Sequence, residues 1–141
     1  MTDIDPIRIR ERLGIIVEAQ GRLQQLSSLS EEEFLADFRN TESAKYLLVV
    51  ATEAAIDLCN HVATRRGGRS PESYADCFTV LAEIGVIEDE LVTRLRQMAR
   101  FRNFLVHLYW QVDNRRIYSL LQQSLMDLDA FRAQILRSLD L

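Results

Sequence analysis

Glycine and proline are scarce in this chain, five and two in 141 residues. That removes most of the punctuation that strand-rich and loop-rich folds need. Cysteine is nearly absent as well. Cys59 and Cys77 stand alone and make neither a zinc pattern nor a disulfide framework. They read as small buried fillers. An excess of positive charge is also missing: the formal net charge is −4, which excludes a generally basic nucleic-acid coat protein. No run of about 18 apolar residues occurs, so no membrane span is expected. The acidic start, Met1 to Pro6, lacks the basic and apolar regions of a signal peptide. The expectation is a cytoplasmic, reduced protein.

What the chain does have is apolar periodicity near 3.6 from end to end. Asp5 is placed to cap a helix opened by Pro6, whose missing N–H costs nothing there. Ile9, Leu13, Ile16 and Leu23 carry its apolar stripe to about Ser27. Ser30 and Glu33 have capping-box spacing and open a short segment with Phe34, Leu35 and Phe38. Thr41 or Ser43 starts the next helix, with Ala44, Leu47, Leu48, Ala51, Ala55, Leu58 and Val62 along one side. The stretch from Arg65 to Pro71 is the clear interruption. A helix with Tyr74, Phe78, Leu81 and Ala82 follows, closed by Gly85. Another runs from about Glu88 through Leu108. Asp113 or Asn114 caps the last, which carries Ile117, Leu120, Leu121, Leu125, Leu128, Phe131 and Ile135. Short links between long helices favour antiparallel neighbours. The fold class is all-α: one domain over 1–141, an antiparallel four- to five-helix bundle.

The chemistry concentrates between Arg100 and Trp110. Arg102, Asn103, His107 and Tyr109 stand there among large apolar residues. At about 100° per residue, Asn103 and His107 share a helix face, and Arg102 and Tyr109 share another. Arg102 and His107 are about 140° apart on that geometry and converge only if the helix ends or bends near His107 or a second copy helps. Phe101, Phe104, Leu105 and Leu108 form an apolar seam that calls for burial. Histidine moves protons near neutral pH, and the arginine fork matches phosphate oxygens. Together they suit RNA phosphodiester cleavage without a metal, because the 2′-hydroxyl of RNA supplies the nucleophile. Spacing alone favours a structural histidine, since such pairs occur often by chance.

The pattern Arg102-x4-His107-x-Tyr109, with Asn103 directly after the arginine, resembles the signature of the HEPN superfamily. More narrowly it resembles the HepT-like ribonuclease toxins. The likeness extends to Glu53 through His61, to Ser73 through Asp76 and to Leu81 through Ile87. It is clearest from about 44 to 138. The resemblance implies a helical homodimer with Arg/His pairs facing across an interface cleft. It implies a metal-independent endoribonuclease using no cofactor, with Arg102 and His107 as the active pair and Asn103 orienting one of them. It further implies a nucleotidyltransferase antitoxin that silences the toxin by attaching AMP to Tyr109.

Other features carry competing readings. Six arginines (94, 96, 100, 102, 115 and 116) face a single acid, Asp113, between Arg94 and Arg116. Arg96 and Arg100 in that strip would steer RNA; the alternative is a solvated face paired to acids elsewhere. Arg65, Arg66 and Arg69 around Gly67-Gly68 form either a mobile phosphate clamp or an exposed charged loop. Glu53, Asp57 and His61, four residues apart on one face, form either a divalent-metal site or a polar seam that holds Arg102. Trp110 and Tyr118 would stack on bases or pack in the core or a dimer. The second functional reading is a non-catalytic helical module that docks onto or regulates a nucleotidyltransferase. A third is a metal-dependent hydrolase built on Glu53, Asp57 and His61.

Overall fold

The first helix begins where its sequence predicts. Asp5 accepts hydrogen bonds from the backbone N–H of Ile7 and Arg8 at 3.1 and 3.4 Å, with Pro6 in the first helical position. The computed structural model describes residues 4–141; Met1, Thr2 and Asp3, half of the acidic start, lie outside them. Six α-helices follow one another, with no strand among the described residues. They are α1 (Pro6–Ser27), α2 (Glu31–Ala36), α3 (Phe38–Arg66), α4 (Tyr74–Glu83), α5 (Asp89–His107) and α6 (Asn114–Ser138). Five of them have ten residues or more, and the six-residue α2 is the short segment of the capping box. In that box Glu33 N–H donates to Ser30 Oγ and Ser30 N–H to Glu33 Oε1, both at 3.1 Å.

One helix starts earlier than its sequence suggests. Asp37 separates α2 from α3, accepts the Arg39 N–H at 2.9 Å and is clasped by the Arg39 guanidinium at 2.7 Å. That local cap sets the start of α3 at Phe38 rather than at Thr41 or Ser43. It also turns Phe38 into solvent instead of into the α2 packing.

α3 is the central helix. Ala44, Ala51, Ala54, Ala55 and Ala63 are buried along it, and their small side chains let neighbouring helices approach closely. It packs against α1, α2, α4, α5 and α6. It is also the one described helix long and apolar enough to cross a membrane by length and composition. Two thirds of that apolar window is buried inside this bundle, which accounts for its character as a core helix. Ile9, Leu13, Ile16 and Leu23 of α1 and Ile117, Leu121, Leu128, Phe131 and Ile135 of α6 complete the core. Cys59 and Cys77 are buried within it, and Cys77 Sγ donates to Asn60 Oδ1 at 3.2 Å.

Two glycines answer to geometry. Gly85 has φ +79°, the left-handed region in which side chains are strained, and lets Val86 N–H reach back to the Leu81 carbonyl at 2.9 Å. At Gly67 a Cβ would collide with the Ala63 carbonyl oxygen that its own N–H binds.

The end of α5 positions the site. Leu108 leaves helical geometry at φ −128°, ψ 39°, and a single 3₁₀ turn, Tyr109–Gln111, follows. Asp113 then caps α6 by accepting the Arg115 N–H at 2.9 Å. The α5 helix therefore stops at His107.

Candidate active site

Arg102 is held from three sides. Its Nη2 and Nε donate to Glu53 Oε1 at 2.7 and 3.3 Å, and Nη1 donates to Asn103 Oδ1 at 3.0 Å. Its guanidinium carbon lies 5.5 Å from the centroid of the Tyr74 ring. The side chain is only 16% exposed, so the charge–charge contact is partly shielded from water. A guanidinium has five N–H groups. Three are engaged here, which leaves one on each terminal nitrogen for another oxygen.

His107 is the last residue of α5 and is exposed, and its imidazole makes no hydrogen bond to another described residue. It stands about 7.5 Å along the helix axis from Arg102 and about 140° around it. No hydrogen bond joins the two within one chain. The helix end predicted near His107 is present, and it leaves the imidazole accessible.

Tyr109, in the 3₁₀ turn, is 42% exposed. Lys45 of α3 places its Nζ 4.6 Å from the centroid of that ring. With Arg102 on Glu53 and Tyr109 on Lys45, α5 and the turn after it run antiparallel to α3. Leu105 is fully buried and Phe101 and Phe104 are half-buried, but Leu108 is exposed together with Val106 and Trp110. The apolar seam of α5 is therefore closed in its interior and open at its end, because the chain turns away from the bundle after His107.

A cavity of about 490 Å³ opens between α3, α5 and α6, beside Arg102. Arg94, Arg100, Arg102 and Arg116, four of the six arginines of the basic strip, line it. Arg116 stacks 4.9 Å over Phe101. Asp127 is the acid in its wall, bound by Arg94 Nε at 2.8 Å and Gln123 Nε2 at 2.9 Å. Burial pushes the Asp127 carboxyl above its ordinary range, and those two partners pull it partly back. Arg96 is turned away from this cavity and donates to Thr79 of α4 at 2.7 Å.

The remaining candidates divide cleanly. Arg65 and Arg66 are exposed at the far end of α3, about 18 Å of helix from Glu53, so the chain does not bring them to Arg102. Arg69 is no mobile clamp. Asp76 holds its guanidinium at 2.7 and 2.9 Å and Glu83 at 3.0 and 3.2 Å. The Glu53, Asp57 and His61 face is a polar seam rather than a ligand set: Glu53 takes Arg102, Asp57 takes Arg12 at 3.4 Å, and His61 Nε2 accepts the Asp5 N–H at 3.0 Å. No group of three metal-ligating side chains is assembled among the described residues. Tyr118 is structural, donating to the Leu29 carbonyl at 2.6 Å and packing on Phe34. Sequence reasoning missed Tyr74 and Lys45 as neighbours of the site. Lys45 carried a signal, since it is the only lysine in the chain.

This architecture has known counterparts. The ribonuclease HepT-like family model matches residues 16–135. The chain is 26% identical over 136 residues to the tRNA nuclease HepT of Aphanizomenon flos-aquae, covering 96% of this chain and 92% of that one. It is 29% identical over 123 residues to the mRNA nuclease HepT of Shewanella oneidensis, covering 87% and 92%. The solved structure of the tri-AMPylated Shewanella oneidensis HEPN toxin in complex with MNT antitoxin matches it with TM-score 0.82 and 30% identity, over 96% of this chain and 98% of that one. The family match spans most of the helical bundle and includes the helix that carries Arg102 and His107. The chain belongs to the ribonuclease HepT-like family.

Proposed function

We propose that this chain is the toxin of a toxin–antitoxin pair, a metal-independent endoribonuclease acting on cytoplasmic RNA. The observation that carries this reading is Arg102 pinned by Glu53 and Asn103 with two N–H groups unengaged, on the helix that ends at an accessible His107. In the reaction the RNA 2′-hydroxyl attacks the adjacent phosphorus and the 5′-oxygen leaves. His107 handles the proton of the attacking or the departing oxygen. Arg102 offers its remaining donors to the phosphate oxygens on which charge builds. The substrate brings its own nucleophile, so the step requires no ion to generate one.

A homodimer is the assembly this reading expects. Val106, Leu108, Tyr109 and Trp110, the last 76% exposed, present a contiguous apolar end to α5 that a second copy would cover. Joining two copies there sets two Arg102/His107 pairs across one cleft. Arg100 and Arg116 extend the positive surface along the neighbouring cavity toward the RNA backbone.

Silencing follows from the position of Tyr109. A nucleotidyltransferase antitoxin attaching AMP to its hydroxyl adds bulk and negative charge two residues from His107, where the RNA phosphate must sit. Expression in cells tests the whole reading. The wild type is expected to arrest growth and to be relieved by the nucleotidyltransferase, while folded Arg102→Ala and His107→Ala variants are harmless. Full toxicity of both variants would overturn it. A harmless wild type carrying an unmodified Tyr109 would favour the non-catalytic docking module instead.

A further inference from the structure

Lys45 is the one lysine of a chain whose other sixteen Lys/Arg positions are arginine. Its side chain is only 7% exposed, yet Nζ makes no hydrogen bond to another described residue. Its neighbours are the Tyr109 ring at 4.6 Å and one half-exposed carboxylate, Glu42, at 3.5 Å. Withdrawing an ammonium from water is costly unless it is paired and hydrogen-bonded. Here the ammonium has the Tyr109 ring on one side and the Glu42 carboxylate, within ion-pair distance, on the other. Glu42 is its one carboxylate partner among the described residues, so an anion carried on Tyr109 would lie next to a cation that is only lightly engaged.

We propose that Lys45 is the docking group for a phosphate carried on the Tyr109 hydroxyl. The inference rests on the reading of Tyr109 as the adenylylated residue. In the transfer, the Tyr109 oxygen bonds to the α-phosphorus of ATP held by the nucleotidyltransferase. The bond to the β-phosphate oxygen breaks, pyrophosphate leaves, and the phenolic proton passes to solvent. Charge builds on the α-phosphoryl oxygens during this step. Lys45 reaches them by rotating its flexible stem off the ring face. Afterwards it holds the phosphodiester against α3, so that the attached nucleotide stays in the cleft rather than swinging clear.

Two measurements test this together. First, purified wild type, Lys45→Met, Lys45→Arg and Tyr109→Phe are incubated with the nucleotidyltransferase and ATP, and added AMP is followed by intact mass. Lys45→Met is expected to be modified about tenfold more slowly, the size of one charge-assisted contact, while Lys45→Arg stays close to wild type. RNA cleavage by unmodified Lys45→Met is expected to be retained. Modification of Lys45→Met at the wild-type rate overturns the proposal, as does loss of its RNA cleavage with an intact fold. Second, the single lysine gives one side-chain Cε–Hε NMR signal, read in the wild type with no substitution at all. Before modification its protons lie upfield of free lysine because Nζ stands over the Tyr109 ring; after modification they return toward the free position. An unmoved signal in fully adenylylated protein overturns the proposal without reference to any variant. If the wild type takes no AMP, or Tyr109→Phe takes it equally, the reading of Tyr109 falls and this one with it.

Discussion

Two arginines, one in the loop before α4 and one on α5, are both bound by carboxylates, and they differ in what they keep in reserve. Arg69 donates from all three of its nitrogens to Asp76 and Glu83 and ties the loop before α4 to that helix. Arg102 meets a single oxygen of Glu53 and the amide oxygen of Asn103, and one N–H remains on each terminal nitrogen. The first arrangement engages four of the five N–H groups, against three at Arg102, and serves to close a loop. The second is held in place but incomplete, which is what a group awaiting a phosphate requires. The same residue type reads as fastener or as tool according to how many of its donors the protein itself has engaged.

The comparison can be broken at several points. The largest effect is expected at the proposed reacting groups: His107→Ala and Arg102→Ala should each cut RNA cleavage by at least about 10²-fold with unchanged thermal midpoints, measured on a defined RNA oligonucleotide. Glu53→Gln keeps the shape but loses the charge that orients the guanidinium. It should lower kcat by about tenfold, an intermediate effect of one charge-assisted contact. Arg69→Ala should leave cleavage unchanged and lower the thermal midpoint, so a loss of activity there would erase the distinction between the two arginines.

The Arg69 effect also has a pH signature. Its guanidinium, with the Glu72 N–H, holds the Asp76 carboxyl well below the usual carboxylate range. A depressed folded-state pKa contributes stability that is full at neutral pH and is lost as pH falls through the acid range. The gap in thermal midpoint between wild type and Arg69→Ala should therefore narrow on acidification. The smallest effect is expected at Asp127, where burial raises the carboxyl and disfavours its charged form. Asp127→Asn removes that cost together with the Arg94 ion pair, and the two changes should nearly offset in a denaturation midpoint at neutral pH.

Much of this was legible in the sequence, and the failures have physical causes. Helix class, the Asp5, Ser30 and Asp113 caps, the Gly85 terminus and the stripes of α1 and α6 follow from local rules that need no partner. The start of α3 was missed because Asp37 acts as both the end of one helix and the cap of the next, a role set by the adjoining Arg39 fork. The seam from Phe101 to Leu108 was expected to be buried. Periodicity assigns a face but does not register that the chain turns out of the bundle at Leu108. At the site, the i+5 separation of Arg102 and His107 called for a helix end, a bend or a second copy, and of these the helix end at His107 is present; Glu53 was already in view as a partner for Arg102. Tyr74 and Lys45 were not, because their contacts join α4 to α5 and α3 to the 3₁₀ turn, across distances in sequence that no spacing rule connects.

The central claim is that His107 serves RNA cleavage without a metal ion. It is tested most directly by incubating purified wild type and His107→Ala with total RNA in excess EDTA, after intact mass has established that Tyr109 is unmodified. The account predicts cleavage by the wild type alone. A folded, unmodified wild type that leaves the RNA intact, or a His107→Ala variant that cleaves as well as the wild type, would contradict it.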